Sequence, residues 1–463
     1  MAPKAEGPTK SGSAKRGARA RKSAAGASPS WADQRSRLLR AVVEVVAQDG
    51  CSQAKIGEIA KRAHVSRATF YEQFADKEEC FLAAHRELAD RMSAEITAIV
   101  MDGEESRAAQ AVLGALVELA QREPLAFSFL THEAMLAGPR ALEERDRLIA
   151  GLEEQIEHAR EQMTGTTLGP DVPARILLGG AIRALGVRMR RNEDSLEQLG
   201  ADLIEWVDSY SVPRHAQRWS TMTPNAAFLD ANQDGPPPSM APQPLPRGRH
   251  RLPPAVVERV QRERLLHATA EAVRARGYAN TTVANIVATA GLSREVFYVH
   301  FRGKREAFME TFRAGLEQAV VTSAEAFFTS SDAWPERVWE SGRAFLDFFV
   351  AAPSLAYLGF VESYSLGPVQ ARRMDDTLLG FTLFLQEGYR HRPQAARLPR
   401  LVSEAIAGAI METAVSYVRQ DRVAELLGLL PTIAYVILAP FTGTDAASEF
   451  VDRKLGEIQA DQA

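Results

Sequence analysis

The chain has 463 residues, of which 46% are hydrophobic and 25% charged, and its net charge is −4. These values are typical of a soluble globular protein of two or three domains, and they exclude a polycation. Any contact with nucleic acid must therefore come from local basic patches. Helix-forming residues dominate, and no region alternates apolar and polar residues as a strand would, so we expect an all-α fold.

Two features limit the cellular setting. The two cysteines, Cys51 and Cys80, lack the spacing of a metal site, and the N-terminus lacks the apolar segment of a secretory signal. We therefore expect a cytoplasmic protein with no cofactor. The most apolar segment, Leu426–Phe441, contains two prolines and falls short of the ~18 apolar residues of a membrane span. It predicts a buried helix and no membrane partner.

Residues 1–30 form the first basic patch, with seven lysines and arginines and one acidic residue among Ala, Gly, Ser and Pro. Such a composition cannot offset the entropy cost of ordering by burial, so it predicts a disordered basic arm. A solubilising tail with no partner is the alternative.

The next region, residues 31–76, predicts three helices. The first has one buried stripe, made by Leu39, Val42, Val43 and Val46. Gly50 ends it, because glycine readily takes the left-handed conformation found after a helix. A short second helix, 55–63, is followed by the turn residue His64. If this turn needs a positive φ, histidine is among the better substitutes for glycine.

The third helix begins at Ser66, whose hydroxyl can accept from an unpaired amide one turn on. Phe70 and Phe74 give this helix one apolar edge and leave an arginine, a tyrosine and small side chains outside. The pattern is a helix, a tight turn and a helix.

The same pattern recurs 227 residues later. Between Leu38–Phe81 and Leu265–Phe308, 16 of the 44 aligned positions are identical. A repeat of this length indicates two homologous domains rather than a solenoid. In the second copy Gly291 occupies the turn, and Thr281 is suited to cap the preceding helix where the first copy has Ala54. We expect the first motif to be slightly less stable, because a cap contributes ~1 kcal/mol.

Helical periodicity continues after each motif and is interrupted by a proline-rich linker. The predicted domains are a basic arm (1–30), head 1 (31–76), body 1 (77–211), the linker (212–254), head 2 (255–303), body 2 (304–442) and a C-terminal tail (443–463). Helices are predicted in body 1 at 107–121, 124–135, 139–162, 173–191 and 195–210, and in body 2 at 334–350, 353–364, 368–389, 398–420 and 422–438.

A helix–tight turn–helix unit can lay its second helix in the DNA major groove. Arg67 and Arg294 could then donate to guanine or to phosphate, and Thr69 could contact a base. Alternatives are a helical bundle with a solvated basic face, and an architectural protein that binds any phosphate backbone.

These motifs resemble the tetracycline-repressor (TetR) family of bacterial transcriptional regulators. The resemblance rests on Ile59, Ala63-His64-Val65-Ser66, Phe70-Tyr71, Phe74 and Lys77-Glu78, and on Ile286, Ala290-Gly291-Leu292-Ser293, Phe297-Tyr298, Phe301 and Lys304. It implies a three-helix head, a body with an effector pocket, and two C-terminal helices that pair with a partner body. It also implies a bacterial protein that binds double-stranded DNA at the nucleoid and releases it when a small ligand binds.

The DNA-contacting positions follow from the motif and the resemblance. We predict Lys55, Ser66, Arg67, Ala68, Thr69, Tyr71, Gln73 and Lys77 in head 1, and Thr282, Ser293, Arg294, Glu295, Val296, Tyr298, His300 and Lys304 in head 2. Glu295 and Val296 replace the small and hydroxyl residues usual in the family. Head 2 is therefore expected to read a different half-site or to bind weakly.

The effector pocket is predicted from aromatic residues of the bodies. Its candidates are Phe127, His132, Phe345, Phe349, Phe360, Tyr364 and Phe384. Ordinary core is the alternative for most of them. Glu154 and His158 would be an incomplete metal site, and no nucleophile, base and acid converge, so we predict neither a metal nor an enzyme.

Two heads on one chain suggest a repressor that acts as an intramolecular pseudo-dimer on an asymmetric operator. The helices in 173–210 would pack against those in 398–438. The linker equally permits a homodimer, with one head degenerate.

Overall fold

The computed structural model describes residues 31–102, 107–162, 168–191, 196–213, 218–219, 221–231, 242 and 252–461. The predicted basic arm and much of the predicted linker lie outside these residues. The described chain is almost entirely helical, which confirms the all-α prediction. Within it, the strands β1 (Leu168–Pro170) and β2 (Ser211–Pro213) form one short antiparallel pair.

The first half contains head 1, body 1 and a helix in the predicted linker. The helices of head 1 are α1 (Trp31–Asp49), α2 (Ile56–Arg62) and α3 (Arg67–Gln73). Those of body 1 are α4 (Lys77–Asp102), α5 (Ala108–Arg122), α6 (Pro124–Ser128), α7 (Ala134–Leu136), α8 (Pro139–Gln162), α9 (Ala174–Arg191) and α10 (Leu196–Asp208). A π-helical segment, Phe129–Glu133, joins α6 to α7, and α11 (Ala226–Ala231) follows body 1.

The second half repeats this order. The helices of head 2 are α12 (Pro254–Asn280), α13 (Val283–Ala290) and α14 (Arg294–His300). Those of body 2 are α15 (Lys304–Thr329), α16 (Trp334–Ala351), α17 (Pro353–Phe360), α18 (Pro368–Phe381), α19 (Leu401–Arg419), α20 (Leu430–Thr442) and α21 (Thr444–Asp461). Short 3₁₀ segments lie at Glu362–Leu366, Thr382–Leu385, Gly388–Arg390, Ala395–Arg397 and Val423–Leu429.

The structure differs from the predicted helices at four places in this half. The predicted helices 353–364 and 368–389 end as α-helices at Phe360 and Phe381, and 3₁₀ segments follow each of them. The predicted helix 422–438 starts as a 3₁₀ segment and becomes α-helical at Leu430, because Pro431 has no amide hydrogen to donate to an earlier carbonyl. The predicted C-terminal tail is a helix, α21, which buries Ala447 and Val451 against body 2.

The bodies pack against each other along α9 and α19. A Cβ on Gly179 would lie 2.8 Å from Cβ of Glu412, and a Cβ on Gly408 would lie 2.8 Å from Cβ of Arg183. Glycine at these two positions therefore permits the close approach of the helices. One hydrophobic core runs through both bodies, while each head has a smaller core of its own.

A buried polar network lies at this junction. Glu412 of α19 accepts from Nη1 and Nη2 of Arg145 at 2.9 and 3.0 Å, and from Nε of Arg183 at 2.7 Å. Nη1 of Arg183 donates to the Tyr364 hydroxyl at 2.8 Å. Burial raises the pKa of Glu412, but the two guanidinium groups outweigh it and hold the pKa well below its ordinary value. The carboxylate is therefore charged and fully paired between the halves.

The described part of the linker packs against the bodies. Trp219 stacks on Tyr435 with ring centroids 5.0 Å apart, and its backbone N–H donates to Asp171 at 3.0 Å. Phe228 of α11 packs edge-on against Trp339. This segment thus ties body 1 to body 2.

Two stretches of body 2, Leu401–Arg419 and Val423–Thr442, are long and apolar enough to cross a membrane, and the bent pair α16–α17 would count as a third. In each of the two stretches, 89% of the apolar window is buried inside the protein. Their apolar surface is therefore used in the core.

Candidate nucleic-acid interface and effector cavity

Head 1 places α3 on its surface through local rules. The Ser66 hydroxyl accepts from the Thr69 amide at 3.0 Å and so caps α3, as predicted. The turn before it holds His64 at φ 54°, so this position does take a positive φ, with histidine in place of glycine. Phe70 and Phe74 are buried in the core of head 1. The opposite face of α3 is consequently fixed toward solvent.

Head 2 repeats this construction. Ser293 caps α14 by accepting from the Val296 amide at 3.4 Å, and Gly291 holds the turn at φ 61°. Phe297 and Phe301 are buried under the helix. The two third helices are therefore anchored at equivalent positions.

The exposed faces of α3 and α14 carry most of the predicted contacts. Fully or partly exposed are Ser66, Arg67, Ala68, Thr69 and Tyr71 in head 1, and Ser293, Arg294, Glu295, Val296 and Tyr298 in head 2. Tyr71 and Tyr298 are each 57% exposed, and each packs edge-on against the buried phenylalanine beside it. Each head thus presents an arginine and a tyrosine from one helical face.

The cap of the preceding helix lies one residue later than expected. Thr282, not Thr281, caps α13, with a reciprocal hydrogen bond from its own amide to the Asn285 side chain. The Thr281 hydroxyl is buried and donates to the Ala272 and Gly277 carbonyls. In head 1 the corresponding cap is Lys55, which is exposed and makes no side-chain capping bond. Head 1 therefore has the weaker cap, as expected, but the capping residue is at position 55 and not at position 54.

The two motif lysines begin α4 and α15, and their side chains reach the end of the first helix of the head. Nζ of Lys77 donates to the Cys51 carbonyl at 2.7 Å, and Nζ of Lys304 donates to the Tyr278 carbonyl at 2.9 Å. Each ammonium group therefore links the start of the fourth helix to the end of the first and stabilises its head, in addition to any phosphate contact. Sequence reasoning missed this role, although the identical spacing in both copies signals it.

Gln73 and His300 occupy equivalent positions near the ends of α3 and α14. Both are half-buried, and the Gln73 amide atoms and His300 Nε2 are shielded from solvent. Burial, together with the nearby Arg262, lowers the pKa of His300. Gln73 and His300 are therefore less accessible to DNA than Arg67 and Arg294 are.

Glu295 gives the surface of head 2 a negative charge. Its pKa is lowered mainly because it accepts hydrogen bonds from Ser293 and from its own backbone amide. It is therefore ionised at neutral pH, at the start of the helix where head 1 has the neutral Ala68.

In each half, one glutamate of the body lies against the turn that follows the first helix of the head. Glu133, at the end of the π-helical segment, accepts from the Cys51 amide at 3.2 Å, next to Gly50. Glu362 of body 2 is buried, and its Oε1 would lie 3.1 Å from a Cβ on Gly277, the counterpart of Gly50. Both heads thus meet their bodies through a glutamate at the end of the first helix.

A cavity of about 120 Å³ lies inside body 2. Its lining is almost wholly apolar and includes the predicted residues Phe345, Phe360 and Phe384. Phe349 lines a smaller adjoining cavity of about 40 Å³. Three other candidates lie elsewhere: Tyr364 joins the buried network, while Phe127 and His132 lie in the interior of body 1. Sequence reasoning missed the lining residues contributed by α19, such as Met411 and Ala414.

Among the described residues, no group of three or more His, Cys, Asp or Glu side chains is arranged to hold a metal ion. The two heads instead have the geometry of helix-turn-helix DNA-binding domains: a capped, solvent-facing second helix after a tight turn.

Comparison with known proteins names the family. The sequence model described as bacterial regulatory proteins, tetR family, matches residues 38–84 and again residues 265–310. The chain is a DNA-binding transcriptional regulator of the TetR family, with two of the family's DNA-binding domains in tandem. No curated protein matches the chain.

Several solved structures resemble parts of the chain. The fatty acid degradation regulator FadR from Bacillus halodurans is 16% identical over 37% of this chain and 97% of its own, with a TM-score of 0.33. FadR from Bacillus subtilis in complex with stearoyl-CoA is 17% identical over 37% and 97%, with a TM-score of 0.32. A TetR family regulator from Marinobacter aquaeolei is 21% identical over 39% and 97%, with a TM-score of 0.33.

Proposed function

We propose that this protein is a cytoplasmic repressor in which one chain acts as a pseudo-dimer. Its two heads would read the unequal halves of an asymmetric operator, about one helical turn of DNA (~34 Å) apart. A small apolar effector bound in body 2 would release the DNA.

The packing of α9 on α19 within one chain carries this proposal. These are the helices with which family members are expected to pair, and here body 1 and body 2 occupy each other's pairing surface. The buried Glu412 network favours this pairing, because a Glu412 facing any other partner would lose both arginines. Removing one partner of a buried ion pair costs about 3–5 kcal/mol.

The exposed residues of the heads suggest how DNA is read. Arg67 and Arg294 lie on the first turn of their helices, where a guanidinium group can donate to both acceptors of a guanine. Thr69 in head 1 corresponds to Val296 in head 2, and Ala68 corresponds to Glu295. Glu295 can accept from a cytosine amino group, which Ala68 cannot.

The effector response would pass from the cavity to both heads. Phe360 and Met411 line the cavity, and Glu362 and Glu412 follow them closely in the chain. Glu362 lies against the Gly277 turn of head 2. A displacement of α17 or α19 would therefore move a buried carboxylate.

The route to head 1 crosses the pairing surface. Glu412 holds Arg145, and Nε of Arg145 donates to the Thr131 carbonyl at 2.9 Å. Thr131 lies in the π-helical segment that ends at Glu133, the residue bound to the Cys51 amide. One cavity would thus reach both heads, because each route consists of direct contacts joined by stretches of one or two residues of chain.

The pseudo-dimer is tested by solution mass and by footprinting on the DNA that flanks the coding region. We expect a monomer that protects two unequal half-sites overlapping a promoter. Arg67→Ala should weaken only one half-site and Arg294→Ala only the other, each about 10- to 100-fold for a loss of ~1–3 kcal/mol. A homodimer, or protection spread along any duplex, would contradict the proposal.

The route to head 1 is tested with Arg145→Met, which leaves Glu412 and Arg183 as a matched pair. Hydrogen exchange in the Gly50–Ala54 turn should speed up, while the Gly277–Thr281 turn stays unchanged. Arg147→Met is the control, since Arg147 is exposed on the same helix. Equal effects of both variants would refute the route.

A further inference from the structure

The cavity in body 2 is too small and too apolar to be a complete binding site. Ligand sites usually enclose about 300–1,000 Å³ and include a few polar groups that orient the ligand. A cavity of about 120 Å³ holds only a small apolar fragment, comparable with an engineered 150 Å³ cavity that accepts benzene. A ligand that uses it must therefore extend beyond it.

The surface next to the cavity has the missing volume. A groove of about 820 Å³ runs between α15 and the end of α18, and the cavity and groove share Phe327, Phe381 and Phe384. The rings of Phe327 and Phe384 lie 5.0 Å apart and separate the two spaces. Rotation of these aromatic side chains would join the cavity and groove into one continuous site.

The groove floor is unusually apolar for a protein surface. Phe328 is 72% exposed, Leu383 is 73% exposed and Val321 is 44% exposed, and all three line the groove. Clustered exposed hydrophobic residues of this kind mark binding sites rather than ordinary surface. The floor continues the apolar lining of the cavity outward, so a single extended hydrocarbon chain fits both.

The groove also supplies the polar group that the cavity lacks. Its rim contains Arg313, Arg337 and Arg390 against Glu317 and Glu387. Arg337 is paired with Glu387, and Arg313 with Glu317 and Glu310. Arg390 is exposed and forms no ion pair with any residue that the structure describes. The rim therefore has one spare positive charge.

We infer that body 2 binds an anionic amphiphile, with its hydrocarbon end in the cavity, its chain along the groove and its acidic group at Arg390. This rests on the proposed effector role of the cavity and adds the chemical class of the ligand. An apolar chain satisfies the cavity and floor, and a carboxylate, sulfate or phosphate satisfies Arg390.

The test is calorimetric titration of the full chain with dodecanoate, dodecanol and dodecyltrimethylammonium, each below its micelle concentration. Dodecanoate should bind one per chain, and at least 10-fold more tightly than the cation. Arg390→Glu should weaken dodecanoate about 10-fold or more and leave dodecanol unchanged. Arg343→Glu is the matched control, since Arg343 lies on α16 of the same body and outside the groove.

Two further variants probe the apolar part. Ala414→Leu should fill the cavity and weaken all three ligands, with folding checked by thermal melting. Leu383→Ser alters only the exposed floor, so it should weaken all three without affecting the fold. No binding by any ligand, equal binding of the cation, or a groove closed by a second copy of the chain would overturn the inference.

The same titration separates this inference from the proposed function. Dodecanoate that binds as described but leaves operator occupancy unchanged would support the amphiphile site and contradict its role as an effector site. If none of the three ligands binds while the two-half-site footprint persists, the amphiphile inference fails and the regulator proposal stands.

Discussion

Head 1 and head 2 share a scaffold and differ in what they show to DNA. The capping serines, the paired phenylalanines and the lysine that binds the end of the first helix occupy equivalent positions in both. The exposed start of the third helix changes from Arg67-Ala68-Thr69 to Arg294-Glu295-Val296. Residues that build the head are thus the same in both copies, as is the arginine that can donate to guanine, while the two residues that follow the arginine differ.

The heads also differ in how they join their bodies. The core of head 1 extends into body 1, where Phe81 packs on Phe129 with ring centroids 4.3 Å apart. The core cluster of head 2 is smaller and ends at Ala307, but Ala270 and Val273 of α12 belong to the core that runs through both bodies. Residues of body 1 thus enter the core of head 1, whereas the first helix of head 2 enters the core of the bodies.

The largest effect is expected from removing a buried ring. Phe70→Ala and Phe297→Ala should each cost about 3–5 kcal/mol, because a large cavity would open in a small core. Phe297→Ala should loosen α13 and α14 and leave body 2 protected, because the core cluster of Phe297 ends at Ala307, whereas Phe70→Ala should also loosen the Phe129 region of body 1. Residue-resolved hydrogen exchange measures both, and identical patterns in the two halves would break the comparison.

Exchanging the charge on the third helix should have the next largest effect. Glu295→Ala should strengthen binding of head 2 to its half-site several-fold, for ~1 kcal/mol of relieved repulsion from phosphates. Ala68→Glu should weaken head 1 by a similar factor. Gel-shift titrations on isolated half-sites report each head separately. Weaker binding by Glu295→Ala would instead mean that Glu295 makes a favourable base contact.

The N-terminal caps of α2 and α13 should differ by about 1 kcal/mol in their contribution to the stability of their heads. Lys55→Thr would create a Thr-x-x-Glu capping box with Glu58 and should stabilise head 1, because Lys55 makes no capping bond. Thr282→Ala should destabilise head 2 by a similar amount. Local unfolding free energies from hydrogen exchange distinguish the heads, and Lys61→Thr, within α2, is a control for loss of a surface charge.

The turn residues should give the smallest effect. Gly291→His would place a side chain at φ 61° and disturb Arg264, whose Nη2 lies 3.1 Å from the new Cβ position. We expect a loss of up to about 1 kcal/mol in head 2, and a change of less than that for His64→Gly in head 1. Thermal melting of the single variants should show this order, and a larger effect in head 1 would contradict it.

Local rules explain what could be predicted from the sequence. Ser66, Ser293 and the glycine at 291 act on neighbours within one turn, so their roles can be read without knowing the tertiary fold. The cap at Thr282 was misplaced by one residue, because its partner Asn285 is not the glutamate or glutamine of the usual capping box. The helix α21 could have been predicted, because Ala447, Phe450, Val451, Leu455 and Ile458 recur at helical spacing and pack on the core.

The contacts between the halves could not be predicted. Arg145 and Glu412 are 267 residues apart, and on their own helices each looks like an ordinary solvated charge. Only tertiary packing buries them together. The cavity could not be predicted either. Its walls come from helices α15 to α20, and a void depends on how these helices are arranged rather than on any one segment.

The packing of α9 on α19 changes how occupancy would depend on protein abundance. Two subunits made separately must first find each other, so their activity falls steeply when only a few copies are present. In the proposed pseudo-dimer, the second half is present at the effective concentration of a covalently linked neighbour, which dilution does not alter. Operator occupancy at low abundance should therefore rise with the first power of the chain concentration. The chain should also not exchange halves with related regulators in the same cell.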